Sequence, residues 1–287
     1  MNSRVDSYNS SQPSDIAFAT EAQTIAKTEP RAIAKAEPDS TTSISNQVLL
    51  DIQRLSHQYG KLDALKNLNY QIYSGAFNAL LGANGAGKST LFNLLAGLLK
   101  PQQGELRFCG QVIKRSNADY LANLGIVFQQ STLDLDLSVG QNLHYHASLH
   151  GMSRKQAKRH IEEELTRLNL LDRIKDPVRT LNGGHKRRVE IARALLHQPA
   201  FLMLDEATVG LDLSTRQQLT HYLHQRCQDE GLTVLWTTHL IEEIQPQDPV
   251  LILHKGEAKY SGLSSELTKE QGVTELKQLI QQLTKAE

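Results

Sequence analysis

The stretch GANGAGKS, residues 82–89, constrains the fold more than any other feature of the chain. It follows the apolar run FNALL and precedes STLFNLLAGLLK, which predicts a helix that ends before Pro101. The pattern G-x-x-x-x-G-K-[ST] is thus present in the strand–loop–helix setting that it requires. Backbone N–H groups of such a loop, together with the helix N-terminus, form a positive cradle for phosphate groups. The sequence therefore predicts a nucleotide site in an α/β fold.

Two side chains at the end of this loop carry the predicted chemistry. Lys88 would bring a full positive charge to the β- and γ-phosphates, and the Ser89 hydroxyl is a ligand type suited to Mg²⁺. The alternative is a glycine-rich turn without a ligand. The spacing and the flanking elements together argue against it.

A second candidate feature is FLMLDE, residues 201–206, which places two carboxylates at the end of an apolar run. FLML (201–204) and TVLW (233–236) predict strands buried on both faces, as in a parallel sheet. Ligands of open α/β sheets bind at the carboxyl ends of the strands. Asp205 is then expected to hold the hydration shell of Mg²⁺, and Glu206 to orient or deprotonate a water. Alone, the pair is also compatible with an acidic helix cap.

Three further features are ambiguous when taken alone. His239 ends the apolar run TVLWTTHL, where a histidine is usually a hydrogen-bonded core or cap residue, and Gln129 in GIVFQQ is equally undecided. LNGGHKRRVEIARALL (181–196) opens with two glycines and continues as an amphipathic helix, so Gly183 and Gly184 must make room for something. HKRR (185–188) is interpreted as a solvated helix face rather than a nucleic-acid patch.

Composition limits the remaining classes of function. Lys plus Arg and Asp plus Glu both number 31, and this balance gives no support for general nucleic-acid or membrane-surface binding. Two cysteines are too few for a disulfide framework, so we expect a reducing, cytoplasmic compartment. No run approaches the roughly 18 apolar residues of a membrane span, and the first residues lack the apolar stretch of a signal peptide. If the protein acts in transport, other chains would have to supply the pore.

The rest of the chain shows a tail, two capped helices and an amphipathic end. Residues 1–46 are polar, contain the echo TIAKTEPR/AIAKAEPD, and predict a disordered tail. Ser138–Gln141 and Ser153–Gln156 both have the form of a capping box. Leu276, Leu279, Ile280 and Leu283 predict a final amphipathic helix, which either docks on the domain or binds a partner.

His144, His146 and His150 invite a metal interpretation, but only the last two share a helical face and no acidic or cysteine ligand lies nearby.

Together these motifs resemble those of the ATP-binding-cassette (ABC) ATPases, the nucleotide-binding subunits of ABC transporters, over about residues 48–262. GANGAGKS resembles the Walker A loop and FLMLDE the Walker B strand. LNGGH resembles the family signature LSGGQ. The remaining matches are Gln129 with the Q-loop, VGLD (209–212) with the D-loop, His239 with the switch histidine and Tyr59 with the aromatic that stacks on adenine.

The resemblance implies an organisation for the whole chain. It predicts an α/β P-loop NTPase core with a mixed sheet, an N-terminal antiparallel β subdomain and a helical insert. The predicted divisions are a disordered tail at 1–46, an ABC ATPase domain at 47–262 with a helical subdomain at about 130–182, and a C-terminal amphipathic helix at 263–287.

The resemblance also implies a role for each matching residue. Glu206, His239 and Lys88 would be catalytic, and Ser89, Gln129 and Asp205 would bind Mg²⁺. The signature would cover the γ-phosphate of an ATP held by a second nucleotide-binding subunit, with Asp212 coupling the two subunits. The expected nucleotide contacts are Tyr59, Gly82, Asn84, Gly85, Ala86, Gly87, Lys88, Ser89, Thr90, Gln129, Asn182, Gly183, Gly184, His185 and Asp212.

Three positions depart from the family pattern. Asn182 replaces the usual serine, but its amide can still donate to phosphate and Asn is a good N-cap. His185 replaces glutamine, and Ala207 stands where proline is usual. None of the three removes a group that the predicted chemistry needs.

The implied function is that of an ATP-hydrolysing motor subunit, using ATP and Mg²⁺, for membrane transport through separate permease subunits. We expect it on the cytoplasmic face of the inner membrane, as a homo- or heterodimer, without a nucleic-acid partner. ATVGLD, KRRVEIARAL and QQSTLDLDLSVGQNL are most similar to exporter-type cassettes, and within them to those associated with quinoprotein (PQQ-dependent) alcohol oxidation systems. The alternatives are a soluble ABC-type ATPase without a transport role and a nucleotide-binding regulator that does not hydrolyse, which Glu206 argues against.

Overall fold

A computed structural model of the chain describes residues 47–114 and 117–285. The predicted tail over residues 1–46, including its duplicated octapeptide, lies outside the described residues. Within the described ranges, no helix is long and apolar enough to cross a membrane.

The described residues form ten strands and eight α-helices, joined by short 3₁₀ turns. The strands are β1 Val48–Tyr59, β2 Leu62–Tyr73, β3 Phe77–Leu81, β4 Gln103–Phe108, β5 Gln111–Val112, β6 Leu124–Val127, β7 Phe201–Asp205, β8 Thr233–Thr237, β9 Pro249–His254 and β10 Glu257–Leu263. The helices are α1 Lys88–Leu95, α2 Ala118–Ala122, α3 Val139–Leu149, α4 Arg154–Arg167, α5 Gly183–Leu195, α6 Leu213–Glu230, α7 Ser264–Glu270 and α8 Leu276–Lys285. The 3₁₀ turns are Leu171–Arg173, Val178–Thr180 and Ile241–Glu243.

Two sheets organise these elements. The first is antiparallel, in the order β2-β1-β4-β5, and the second has the order β10-β9-β3-β8-β7-β6. In the second sheet every neighbouring pair is parallel except β9 and β10. The predicted α/β P-loop fold, with a mixed sheet, an N-terminal antiparallel sheet and a helical region, is confirmed.

The second sheet is covered on both faces, which explains its uninterrupted apolar strands. On β7, Phe201 and Met203 pack against the antiparallel sheet and α1, whereas Leu202 and Leu204 pack against the helical region. All four side chains are fully buried. Alternate residues of a strand point to opposite faces, so a strand buried on both faces cannot alternate in polarity.

The helical region between β6 and β7 begins as the sequence predicts. The Ser138 and Ser153 hydroxyls each accept a hydrogen bond from the backbone N–H three residues ahead. The Gln141 and Gln156 side chains accept in turn from the backbone N–H of these serines, which completes both capping boxes. Ala157, Ile161 and Leu165 of α4 are buried together, as their spacing predicts. This region packs on the sheet face that carries Leu202 and Leu204.

Two predicted helices differ in the structure. The helix expected to run up to Pro101 ends at Leu95, because Gly97 adopts a left-handed conformation with φ +73° that a helix cannot continue through. The segment after residue 262 contains two helices rather than one, since Gly272 breaks it with φ +63°. Leu276 and Leu279 of α8 are buried against Val250 and Ile252 of β9, so this helix docks on its own domain.

Candidate functional site

The carboxyl ends of four adjacent parallel strands carry the predicted site. β6 leads to Gln129, β7 to Glu206, β8 to His239, and β3 to the loop at residues 82–87. Because these strands are neighbours in the sheet, residues far apart in sequence meet at one edge. The sequence predicts ligand binding at this same edge, the carboxyl ends of the parallel strands.

The loop between β3 and α1 has no space for side chains at two of its glycines. A Cβ at Gly82 would lie 2.6 Å from the carbonyl oxygen of Leu253, and one at Gly87 would lie 2.6 Å from that of Ala64. Gly87 also has φ +108° and caps α1 directly. At both glycines the loop packs directly against neighbouring segments, and its passage into the N-terminus of α1 suits a phosphate.

Lys88 lies in the first turn of α1 and folds back over this loop. Its Nζ donates to the carbonyl oxygens of Gly82 at 2.7 Å and Ala83 at 3.2 Å. Burial lowers the pKa of Lys88, while the nearby carboxylates of Glu206 and Asp205 act in the opposite direction. The ammonium is thus held on the loop carbonyls, and both carboxylates favour its charged form. Asn84, Gly85 and Ala86 form the rest of the loop, and Ser89 and Thr90 follow in the first turn of α1.

The two carboxylates at the end of β7 are held by the neighbouring strand. Asp205 pairs with Thr237 of β8 across the parallel sheet, and its Oδ1 accepts a hydrogen bond of 2.5 Å from the Thr237 hydroxyl. The Glu206 backbone N–H donates to the Thr237 hydroxyl at 3.0 Å. Glu206 itself has φ +44°, a conformation that costs a non-glycine residue energy.

Glu206 contacts the two residues that are ambiguous in the sequence. Its Oε2 accepts a hydrogen bond of 2.8 Å from Nε2 of Gln129, and its Oε1 lies 3.7 Å from Nδ1 of His239. His239 is half exposed, whereas Glu206 is largely covered. These distances bring the side chains of Gln129, Glu206 and His239 together at the sheet edge.

The residues expected to hold Mg²⁺ suit that ion in their donor chemistry. Ser89, Asp205 and Gln129 offer a hydroxyl, a carboxylate and an amide oxygen, and Mg²⁺ prefers oxygen ligands. Asp205 uses Oδ1 for Thr237, which leaves Oδ2, and Gln129 uses its amide nitrogen for Glu206, which leaves its oxygen. The residues present therefore fit a magnesium ion.

The signature segment forms a separate concave surface. Asn182 caps α5, its Oδ1 accepting from the His185 backbone N–H at 2.8 Å, and Gly183 and Gly184 form the first turn. A cavity of about 330 Å³ is lined by Asn182, Gly183, Gly184, His185, Arg188, Gly210, Leu211, Asp212 and Thr215. Its lining contains none of the residues from the phosphate loop or the ends of β7 and β8. A larger cavity of about 690 Å³, beside β1, β2 and β10, includes none of the predicted site residues.

Asp212 lies in this cavity as the N-cap of α6. Its carboxylate accepts from the Thr215 backbone N–H at 2.9 Å and from the Thr215 hydroxyl at 2.8 Å. These hydrogen bonds hold the pKa of Asp212 below its usual value, and the one from the Thr215 backbone has the largest effect. The carboxylate is therefore an ionised, exposed group beside the signature glycines.

Tyr59 lies at the end of the β1–β2 hairpin, close to the phosphate loop. It pairs with Leu62, and two residues later Ala64 directs its carbonyl oxygen at Gly87. The ring is half exposed and packs edge-on against His57 at 4.9 Å between centroids. Its position suits the predicted stacking on a base.

The structure also shows a connection that the sequence analysis missed. Arg187, expected on a solvated face, is buried, and its guanidinium donates to the carbonyl oxygens of Phe128 at 2.7 Å and Gln129 at 2.9 Å. Glu190 pairs with Arg187 at 2.7 Å and accepts from the Thr132 backbone N–H at 3.1 Å. The solvated-face interpretation is thus wrong for Arg187. The spacing of Arg187 and Glu190, three residues apart on a helix, is a signal that would have indicated the pair.

A second missed residue is Glu243, which is buried behind the site. Its carboxylate accepts hydrogen bonds from Trp236 Nε1 at 2.9 Å, from the Thr238 hydroxyl at 2.6 Å, and from the Thr208 hydroxyl. Thr208 follows Glu206 by two residues and Thr238 precedes His239. Glu243 therefore ties together the two segments that carry these side chains. No local sequence pattern indicates this arrangement.

Comparison with known proteins identifies the family. The model of the family described as ABC transporter matches residues 65–209. The chain belongs to the ABC transporter family. Its fold agrees with what the motif resemblance implies.

Relatives of this ABC ATPase differ in the roles that their names state. The chain is 33% identical over 220 residues to the linearmycin resistance ATP-binding protein of Bacillus subtilis (strain 168), covering 76% of this chain and 70% of that protein. It is 33% identical over 223 residues to the sulfate/thiosulfate import ATP-binding protein of Pectobacterium atrosepticum, covering 76% of this chain and 67% of that protein.

One solved structure of a similar cassette is a dimer. A dimeric ATP-binding cassette in a post-hydrolysis state, bound to ADP and Pi, matches with a TM-score of 0.67 and 27% identity, covering 75% of this chain and 98% of that chain. This ABC ATPase is thus an ATP-binding and ATP-hydrolysing transporter subunit, of a class that forms dimers.

Proposed function

We propose that this ABC ATPase powers the export of a small molecule through separate membrane subunits, and that each ATP is bound between two nucleotide-binding subunits. One subunit would supply the phosphate loop, and the other would supply Asn182, Gly183, Gly184 and His185. The second subunit is either another copy of this chain or a related one.

The observation that carries the proposal is the separation of two anion-binding surfaces on one chain. The phosphate loop opens at the carboxyl ends of the parallel strands, whereas the signature cavity lies between the starts of α5 and α6. Both are helix N-termini with exposed glycine backbone, and both favour negative charge. A chain with two such surfaces in separate places is suited to binding one triphosphate from each side across a dimer.

Within a composite site, the residues at the sheet edge have distinct roles. Lys88 neutralises the β- and γ-phosphates, and Tyr59 stacks on the adenine. Ser89, Asp205 and Gln129 are the residues that would hold Mg²⁺, which supplies charge neutralisation on the phosphate oxygens when bound. Glu206 takes the proton of the attacking water, because its carboxylate is positioned by Gln129 and lies next to His239. His239 then contacts the γ-phosphate, and Asp212 couples the two subunits.

The proposal also specifies the direction of transport. Export is supported by the segments ATVGLD and LNGGHKRRVEIARAL, which resemble exporter-type cassettes. It also fits the similarity to a resistance protein, because removal of a toxic compound is one route to resistance. The import protein of equal identity shows that sequence identity alone does not separate the two directions. We further propose a place among cassettes associated with quinoprotein alcohol oxidation systems, which fixes no substrate. The location is the cytoplasmic face of the inner membrane, where permease subunits would bind.

The first experiment tests for the membrane partner. The full chain is purified from detergent extracts of its own cells, and co-purifying proteins are identified. A protein with several membrane spans supports the proposal. Recovery with ribosomes or DNA instead would favour the soluble ABC-type ATPase.

The second experiment tests direction. Metabolites of cells and medium are compared between strains that carry Lys88→Ala and Lys100→Ala, since Lys100 is an exposed lysine outside the site. Export predicts a compound that accumulates in Lys88→Ala cells and is depleted from their medium. A compound that remains in the medium instead contradicts export.

A further inference from the structure

Three histidines from two parts of the chain meet at the end of α3. His146 and His150 are one helical turn apart, and His197 comes from the segment between α5 and β7. One ring nitrogen from each lies within 4.8 Å of the others. This cluster is not part of the nucleotide site. His144, which the sequence groups with them, is not a member of it.

The ring nitrogens of this cluster have lone pairs to offer. Nε2 of His197 lies 3.2 Å from the carbonyl oxygen of Leu124. Since a carbonyl only accepts, Nε2 carries the proton and Nδ1 of His197 is left with a free lone pair. Among the described atoms, this Nδ1 and Nε2 of His146 are buried without a hydrogen-bond partner. A ring whose far N–H donates to a backbone carbonyl is oriented as metal-binding histidines usually are.

The surroundings keep these imidazoles neutral. Burial is the main cause that lowers the pKa of His146 to about 4 and that of His197 to about 3, with contributions from the neighbouring histidines. Arg193 faces His146 and adds to the effect, while its guanidinium is held by the Thr132 carbonyl oxygen at 2.9 Å. Neutral imidazole is the form that binds a metal ion.

We propose that His146, His150 and His197 bind one transition-metal ion of the Zn²⁺ class, with water as the fourth ligand. Three imidazoles suit Zn²⁺, Ni²⁺ or Cu²⁺, whereas Mg²⁺ and Ca²⁺ require oxygen ligands. The bound ion would link the end of α3 to the segment between α5 and β7.

Binding requires a small rearrangement of the rings. Zinc–nitrogen bonds of about 2.0–2.1 Å place tetrahedral ligand nitrogens about 3.3 Å apart, so the nitrogens must approach one another. His150 now stacks on His197, with centroids 3.8 Å apart and 11° between the planes. Because His150 is exposed, it can turn from this stacking towards the ion.

The test uses the full, untagged chain, stripped of metal and free of nucleotide, because tags and ATP chelate zinc. Zn²⁺ is titrated by calorimetry, and Co²⁺ is added separately to record the visible absorption of a tetrahedral site. We expect one Zn²⁺ per chain. His150→Ala and His197→Gln should each raise the dissociation constant at least about tenfold. His144→Ala, an exposed histidine of the same helix outside the cluster, should change nothing.

Two results would overturn the proposal. One is the absence of zinc binding at micromolar concentrations by the wild-type chain. The other is equal affinity and stoichiometry in wild type and His150→Ala, which replaces an exposed residue and so leaves the fold intact. Loss of the Co²⁺ absorption in His150→Ala, but not in His144→Ala, would support the site independently.

Discussion

Nε2 of Gln129 donates a hydrogen bond of 2.8 Å to Oε2 of Glu206, across 77 residues of sequence. Gln129 follows β6 and Glu206 follows β7, and these strands are parallel neighbours. The loop after β6 is itself held by Arg187 of α5, the helix that begins with the signature glycines. A chain of direct contacts therefore runs from α5, through the Gln129 loop, to the proposed general base.

The first prediction concerns the general base. Glu206→Gln should lower ATP turnover at least about 100-fold, because the amide cannot accept a proton from water, whereas ATP affinity is retained. The amide oxygen still accepts the hydrogen bond from Gln129, so the loop geometry is kept. Phosphate release measures turnover, and size-exclusion chromatography with ATP should show accumulated dimers.

The matched control is Glu242→Gln, an exposed carboxylate in the segment after His239, which pairs with Arg216 at 3.3 Å. It should hydrolyse ATP at the wild-type rate. Unchanged turnover in Glu206→Gln would exclude Glu206 as the base.

The second prediction concerns the composite site. Lys88→Ala removes the cation from the phosphate loop, and Gly183→Asp places a negative charge where the γ-phosphate would bind. Gly183 tolerates a side chain, since a Cβ there has its nearest contact 3.9 Å away, at Leu211. An acidic residue in the first turn is also compatible with the helix dipole. Each variant alone should therefore fold but be inactive.

Mixing the two variants should restore activity. Random pairing makes half of the dimers mixed, each with one complete site, so recovery of up to about a quarter of wild-type turnover is expected. The control mixes Lys88→Ala with the double variant Lys88→Ala/Gly183→Asp, where every site lacks the lysine. Mixed dimers that form without recovering activity would contradict the cross-subunit assignment.

The third prediction concerns the link between α5 and the Gln129 loop. Arg187→Ala should destabilise the protein by about 3–5 kcal/mol, because it leaves the buried Glu190 without its cation. Arg188→Ala, whose side chain contacts Gln218 at an exposed position, should change stability by about 0.5 kcal/mol or less. Urea unfolding measures both. The destabilisation of the double variant Arg187→Ala/Glu190→Ala should be less than the sum for Arg187→Ala and Glu190→Ala, because the double variant leaves no unpaired charge.

The same variants separate a structural role for Arg187 from a positioning role. If Arg187 positions Gln129, the double variant should regain stability without regaining ATP turnover. Full turnover in the double variant would show that the guanidinium serves only stability.

Sequence reasoning succeeds where chemistry is local to one segment. The loop between β3 and α1, the capping boxes at Ser138 and Ser153, and the carboxylates at the end of β7 each follow from neighbouring residues, and the structure has them on the predicted elements. It fails where distant segments converge. Arg187 is charged and adjacent to two other basic residues, so only the approach of the Gln129 loop reveals its burial.

The histidine cluster illustrates the same limit. His146 and His150 are related by helical spacing, but His197 joins them only because α3 packs beside the end of α5. No periodicity connects residues 150 and 197. The approach of His197 to His146 and His150 is therefore visible only in the tertiary structure.

The fourth prediction concerns Glu243, which accepts three hydrogen bonds behind the site. Glu243→Gln replaces the charged acceptor by a neutral amide whose NH₂ group cannot accept, so whichever of the donors Trp236, Thr208 and Thr238 faces that group must turn or lose its partner. An unsatisfied buried donor costs about 1–3 kcal/mol, which urea unfolding should detect. Turnover should also fall, because Thr208 and Thr238 fix the segments that carry Glu206 and His239. Glu242→Gln, the exposed neighbour, should alter neither quantity. A Glu243→Gln protein with wild-type turnover would show that these segments hold their geometry without the buried carboxylate.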